Sequence, residues 1–202
     1  MKSIIKVEAE GKVHIFRGRD DVDVQCKVDA WVDSKVQLLH PKEGKREHIK
    51  ISRTYGEEEL PLEVEFYERL EGTELTPKLW RYGTFFSFRA IYEETGLDFY
   101  QKFYYIALEK YGMSLEEVYG SSSICMRSST KMLRDEELFD RVFPPEKFPE
   151  EVRSSIRELA KCLEEEGVDH LDFHAGNILT DNHGILKAID FECAAMVDKR
   201  RK

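Results

Sequence analysis

Apolar and β-branched side chains recur at every second position in short runs through the first half of the chain. Residues 12–16, 22–28 and 35–39 carry this alternation between Gly, Asp and Ser turns, and each is predicted as a strand. A turn at 42–45 leads to a further strand over 47–52. The period then changes. Leu60, Val64, Tyr67 and Leu70 are spaced by four, three and three, which predicts an amphipathic helix over 57–71 ended by Gly72. Strand-like runs return at 79–82, 85–88 and 104–108.

The second half is helical first. Ser114, with Glu117 three residues on, has the pattern of a capping box opening a helix over 115–119. Residues 120–147 begin Gly-Ser-Ser-Ser and include Arg127-Ser-Ser-Thr130, predicting a mobile, solvated loop with some helix around 133–141. Its hydroxyls are candidates for phosphorylation. Between Pro149 and Gly167 an apolar stripe of Val152, Ile156, Leu159, Ala160 and Leu163 marks a long helix. A hairpin follows, with strands at 178–180 and 185–189 around a turn at 181–184. A β-rich half with one helix, then a helical half with a polar hairpin, is an α+β pattern.

Composition narrows the function classes. The 202 residues are 41% hydrophobic and 35% charged, with a formal charge of −9, which disfavours nucleic acid or an anionic membrane as partner. Cys26, Cys125, Cys162 and Cys193 lie far apart without C-x-x-C spacing and are expected as reduced thiols of an intracellular protein. Charges interrupt the N-terminal apolar run, so neither a signal peptide nor a membrane span is expected. The basic end, 198–202, reads as a solvated terminus, with a nuclear address as the alternative.

The chemistry is concentrated near the C-terminus. His170-x-Asp172-x-x-x-x-Asn177 matches the pattern H-x-D-x-x-x-x-N, and Ile189-Asp-Phe-Glu192 follows the hairpin. Together these resemble the catalytic loop and Asp-Phe-Gly segment of the protein-kinase-like superfamily. His174 stands where Ser/Thr kinases usually have Lys, and Glu192 where they have Gly. Both make the chain similar to the aminoglycoside and choline kinase branch, or to compact atypical protein kinases. The resemblance implies a bilobal protein-kinase-like fold, with an antiparallel β-rich N-lobe over 1–108 and a truncated, mainly helical C-lobe over 109–202. It also implies ATP and Mg²⁺ as cofactors, with Asp172 as base, His170 and His174 beside it, and Asn177 and Asp190 on the metal.

The rest of the family pattern is fainter. Lys50 fits the strand lysine that reaches the phosphates, and Glu63 in the next helix fits its ion-pair partner. Leu108 corresponds to the residue guarding the back of the adenine pocket, and the backbone of Glu109 and Tyr111 to its hydrogen-bonding edge. Counting back from Lys50 puts Val36 at the valine of G-x-G-x-x-G-x-V and Ser34 at its third glycine, with Asp29 and Trp31 at the other two. Trp31 and Asp29 cannot give the close backbone approach to phosphate that glycine allows. Glu192 resists positive φ, so a backbone flip at Asp190 is not expected. The chain runs only to Lys202 after Glu192, so the acceptor site is expected from 120–147, from a partner protein, or not at all.

Three functions follow. The first is an active kinase, transferring the γ-phosphate to a protein Ser/Thr hydroxyl or a small-molecule alcohol. The second is a pseudokinase or interaction module, suggested by the glycine-poor phosphate loop. The third is a metallohydrolase using His170, Asp172 and His174 as alternating ligands on a strand.

Overall fold

The computed structural model describes residues 3–36, 46–55, 62–121 and 126–197. It is a mixed α+β protein that clusters into two compact units. One contains Met1–Pro61 with Trp80–Leu108, the other Leu62–Leu79 with Glu109–Lys202. Residues 62–79 group with the second unit rather than with the first 108 residues.

The first unit is a five-stranded sheet with one helix. Strands β1 (Ser3–Ala9), β2 (Lys12–Gly18), β3 (Glu47–Tyr55), β4 (Leu79–Tyr92) and β5 (Asp98–Glu109) lie in the order β2-β1-β4-β5-β3. β1 is antiparallel to both neighbours, with Val7 opposite His14 on β2 and Ala90 on β4. The two runs expected at 79–82 and 85–88 are one continuous strand.

The strand expected at 22–28 is instead helix α1 (Asp21–Val36). Val22, Val24, Cys26 and Val28 do alternate, but Val24, Val28 and Val32 recur every fourth residue and are buried, whereas Val22 is 73% exposed. Asp23 N–H donates to Asp20 Oδ1 at 2.8 Å, closing the first turn, and Lys27 pairs with Asp23 one turn away at 3.2 Å. The three valines pack on Ile5, Val7, Phe86, Phe88 and Phe103 of the sheet, while Trp31 meets Phe86 edge-on. Lys35 and Val36, expected in a strand over 35–39, end this helix; residues 37–39 and the turn at 42–45 lie outside the described residues.

The assignment has a direct test. Val28→Ala should cost about 2 kcal/mol, for a buried methyl pair and the space it leaves, and Val22→Ala should stay within about 0.5 kcal/mol. Equal losses in urea unfolding would restore the strand.

This helix also corrects the phosphate-loop alignment. Asp29, Trp31, Ser34 and Val36 are helical residues, and Ser34 Oγ–H donates to its own helix at the Trp31 carbonyl (2.6 Å). Nor can the β1–β2 hairpin replace that loop. β3, which carries Lys50, is at one edge of the sheet and β2 at the other, four strand spacings or roughly 19 Å away.

In the second unit, α2 (Leu62–Arg69) buries Glu63, Val64, Phe66 and Tyr67; its expected start at 57–61 is outside the described residues. Next come β6 (Met113–Ser114), α3 (Leu115–Tyr119), α4 (Ser129–Met132), α5 (Glu136–Val142) and α6 (Glu150–Glu165). β7 (Val168–Asp169) pairs with β10 (Ala195–Met196), and β8 (Ile178–Thr180) with β9 (Leu186–Ala188), the expected hairpin. β6 adds to β8. That approach requires glycine at 112: its φ is +28°, and a Cβ there would lie 1.7 Å from the Thr180 carbonyl oxygen.

Both cap expectations for this unit are met. Ser114 and Glu117 form a reciprocal capping box, and α6 buries Ile156, Leu159, Ala160 and Leu163 before Gly167 turns at φ +80°. Among the described residues no helix is long and apolar enough to cross a membrane, and Cys26 and Cys162 are free thiols. Cys125 and the basic end at 198–202 lie outside the described residues.

Candidate active site

The conspicuous polar cluster of the second unit is built on three segments: α2, the loop from β7 to β8, and the turn after β9. His170 ties the last two together. It is fully buried, its Nε2–H donates to the Ile189 carbonyl at 2.8 Å, and its Nδ1 accepts from Asp172 N–H at 3.3 Å. Both ring nitrogens are therefore engaged, in the one neutral tautomer that satisfies them. His170 thereby ties the Asp172 loop to the turn after β9.

Burial holds the His170 pKa below the ordinary histidine value of 6.5. With the folded value depressed, the unfolded chain takes up a proton first as pH falls. The His170 contribution is then complete above pH 6.5 and declines below it. Acid destabilisation below that pH should be shallower in His170→Gln than in the parent chain; parallel urea midpoints from pH 7 to 5 would contradict this.

Asp172 is the hub of the loop. Asn177 Nδ2 donates to the Asp172 carbonyl at 2.9 Å and to its Oδ2 at 3.3 Å. His174 accepts Gly176 N–H on Nδ1 at 3.0 Å, which turns its Nε2 toward Asp172 Oδ2, 3.4 Å away. The other oxygen, Oδ1, accepts the Met126 N–H. The Asp172 side chain keeps 23% of its surface exposed, so it is pinned yet reachable. Because the Asn177 amide nitrogen is committed to Asp172, its oxygen is left as the group to present to a ligand.

These contacts dismiss the metallohydrolase set: His170 has no nitrogen left for a metal, and His174 has Nδ1 closed. Asp190 is placed by the β8–β9 hairpin, in which Ile189 N–H donates to the Asn177 carbonyl at 3.0 Å. Asp190 has φ +66° and ψ +66°, so the positive φ falls on the aspartate itself and not on residue 192. Asp tolerates this left-handed conformation better than most residues. Phe191 is fully buried between His170 (5.0 Å), Tyr67 (5.2 Å, edge-on) and Phe66 (6.0 Å, stacked).

From α2, Glu63 is fully buried and accepts Phe191 N–H at 3.3 Å, and the Tyr67 hydroxyl accepts Asp190 N–H at 3.2 Å. Burial first, then the Glu63 charge, push the Tyr67 phenol well above its usual value, so it remains a hydroxyl that can donate to Glu63. Carboxylate oxygens of Glu63, Asp190 and Glu192 lie within 4.8 Å of one another. Like charges this close repel unless a cation or proton sits among them.

The remaining expected residues divide between the two units. Lys50 is on β3 with a half-buried side chain, and Leu108 is buried on β5, both in the first unit. Glu109 N–H donates to the Lys78 carbonyl at 2.8 Å, so what Glu109 can offer adenine is its carbonyl. Its carboxylate points to a cavity of about 340 Å³ with Lys187 in the wall, 3.7 Å away. Lys187 is also held by Glu74 at 3.2 Å. The Tyr111 side chain lies on the hairpin, its hydroxyl donating to Ile185 C=O at 3.2 Å; burial and Asp181 push it up to about 12.

Sequence reasoning missed three participants: Met126 N–H, the Tyr67 hydroxyl and Asp169. The carboxylate of Asp169 accepts from Ser128 Oγ, Ser129 Oγ and Thr130 N–H. That contact corrects the expectation at 127–130: Ser128 caps α4, and Ser128 and Ser129 are buried rather than displayed for phosphorylation. Residues 122–125 of the expected loop lie outside the described residues. A legible sign existed for Tyr67 alone, since it is four residues after Glu63 and shares its helix face. No protein-family model matches the chain, and no curated protein matches its sequence.

Proposed function

We propose that the chain is an ATP- and Mg²⁺-dependent phosphotransferase of bilobal protein-kinase-like architecture, acting on a protein Ser/Thr hydroxyl. One observation carries the reading. Asp172 is fixed by Asn177 and His174, and through His170 and Ile189 it is linked to the turn that bears Asp190.

The donor set suits a hard cation. Asn177 Oδ1, Asp190 and Glu192 are oxygen ligands of the kind Mg²⁺ takes, with no thiolate or open imidazole among them. Bound there, Mg²⁺ would offset the charge of transferring phosphate. The protein's own part is positioning. Asp172 orients the acceptor hydroxyl and takes up its proton, while Asn177 and His174 keep the carboxylate from turning. Oδ1 already accepts the Met126 N–H and keeps a second lone pair for the acceptor O–H.

A second reading, a pseudokinase, is favoured by one feature: α1 occupies the positions that should form the phosphate loop. Transfer from γ-labelled ATP, to the chain itself or to a pool of Ser/Thr peptides, separates the two. Label incorporation that EDTA abolishes supports the enzyme. Mg-ATP binding without incorporation selects the pseudokinase, and incorporation unaffected by EDTA defeats the metal assignment.

A further inference from the structure

We infer that the Tyr67 hydroxyl is a positioning residue that holds Asp190 in its left-handed conformation, and so aims the Asp190 carboxylate at the divalent cation. The inference rests on the proposed function for its second half. Tyr67 is 1% exposed, and its hydroxyl meets the Asp190 backbone N–H at 3.2 Å. One turn earlier on α2, Glu63 takes the very next N–H, that of Phe191, at 3.3 Å. Two consecutive amides of the turn are thus received by two polar groups on one helix face.

The backbone they hold is a costly one. A non-glycine residue at φ +66° persists only where its surroundings over-determine it. The aromatic contacts of Phe191 anchor the turn from one side, but ring packing is non-directional and does not choose a φ for the preceding residue. A hydrogen bond to the Asp190 amide does choose one. The Tyr67 O–H can in turn be given to Glu63, so the hydroxyl closes a chain from the amide to the buried carboxylate.

The test is Tyr67→Phe in the full chain, which keeps the ring against Phe191 and removes only the oxygen. Two readouts are needed: amide hydrogen exchange at residue 190, and the affinity for Mn²⁺ alone, followed by water-proton relaxation. The expected result is exchange at Asp190 at least tenfold faster and Mn²⁺ binding about tenfold weaker, with unchanged circular dichroism. Unchanged exchange at residue 190 overturns the inference, and so does faster exchange with Mn²⁺ affinity equal to that of the parent chain. A parent chain that binds no Mn²⁺ defeats the metal half together with the kinase reading, while the exchange comparison still decides whether Tyr67 sets the Asp190 backbone.

Discussion

Asp172→Ala is expected to lower the turnover of γ-phosphate transfer by about 10²–10⁴-fold, the range for removing a general base, while Mg-ATP affinity changes by no more than about twofold. The split follows from geometry. The Asp172 carboxylate contacts Met126 N–H, Asn177 and His174, whereas the proposed metal ligands are Asn177 Oδ1, Asp190 and Glu192. Loss of the carboxylate therefore removes the group proposed to act on the acceptor and leaves the proposed metal ligands in place. Asp172→Asn sharpens the comparison, because it preserves the shape but turns an acceptor-only group into a partial donor facing the Met126 N–H. Both variants should show the effect in kcat rather than in the KM for ATP. Turnover within threefold of the parent in either one would remove Asp172 from the reaction.

Phe191→Ala is expected to cost about 3–5 kcal/mol of stability, the usual loss for deleting a fully buried aromatic ring. Phe191 has no exposed surface and touches His170, Phe66 and Tyr67 at once, so its removal opens a cavity between α2 and the loop that carries His170. The surrounding rings are themselves buried, and those of His170 and Tyr67 are also hydrogen-bonded, which limits how far they can collapse into the gap. Phe191→Leu, which retains most of the volume, should cost less than half as much. Urea unfolding monitored by circular dichroism measures both, and a Phe191→Ala loss below about 1 kcal/mol would show that the stack contributes little.

Legibility in the sequence varied with how local the cause was. Ser114 and Glu117, the apolar stripe of α6 and the 178–189 hairpin are set by neighbours in sequence, and each appears in the structure where its pattern lies. The segment 21–36 was misjudged because four side chains satisfied period two and three satisfied period four. The choice between them depends on a sheet that supplies a surface for only one face of a helix. The polar loop was legible as a set of residues, His170, Asp172, Asn177 and Asp190, but not as a network. No spacing rule announces that His170 would spend both nitrogens on backbone, or that Met126 would cover Asp172 from 46 residues away. The phosphate-loop alignment does not hold for a related reason: Asp29, Trp31, Ser34 and Val36 lie in a helix.

Calorimetric titration of Mg-ATP into the full chain and into Asp190→Ala tests the central claim most directly. Saturable binding by the parent chain in the range of about 1 μM to 1 mM, as is usual for enzymes and their substrates, weakened at least tenfold in Asp190→Ala, is the predicted result. Equal affinity in the two proteins, or no binding heat in either, would contradict the assignment of this loop and turn to nucleotide and metal.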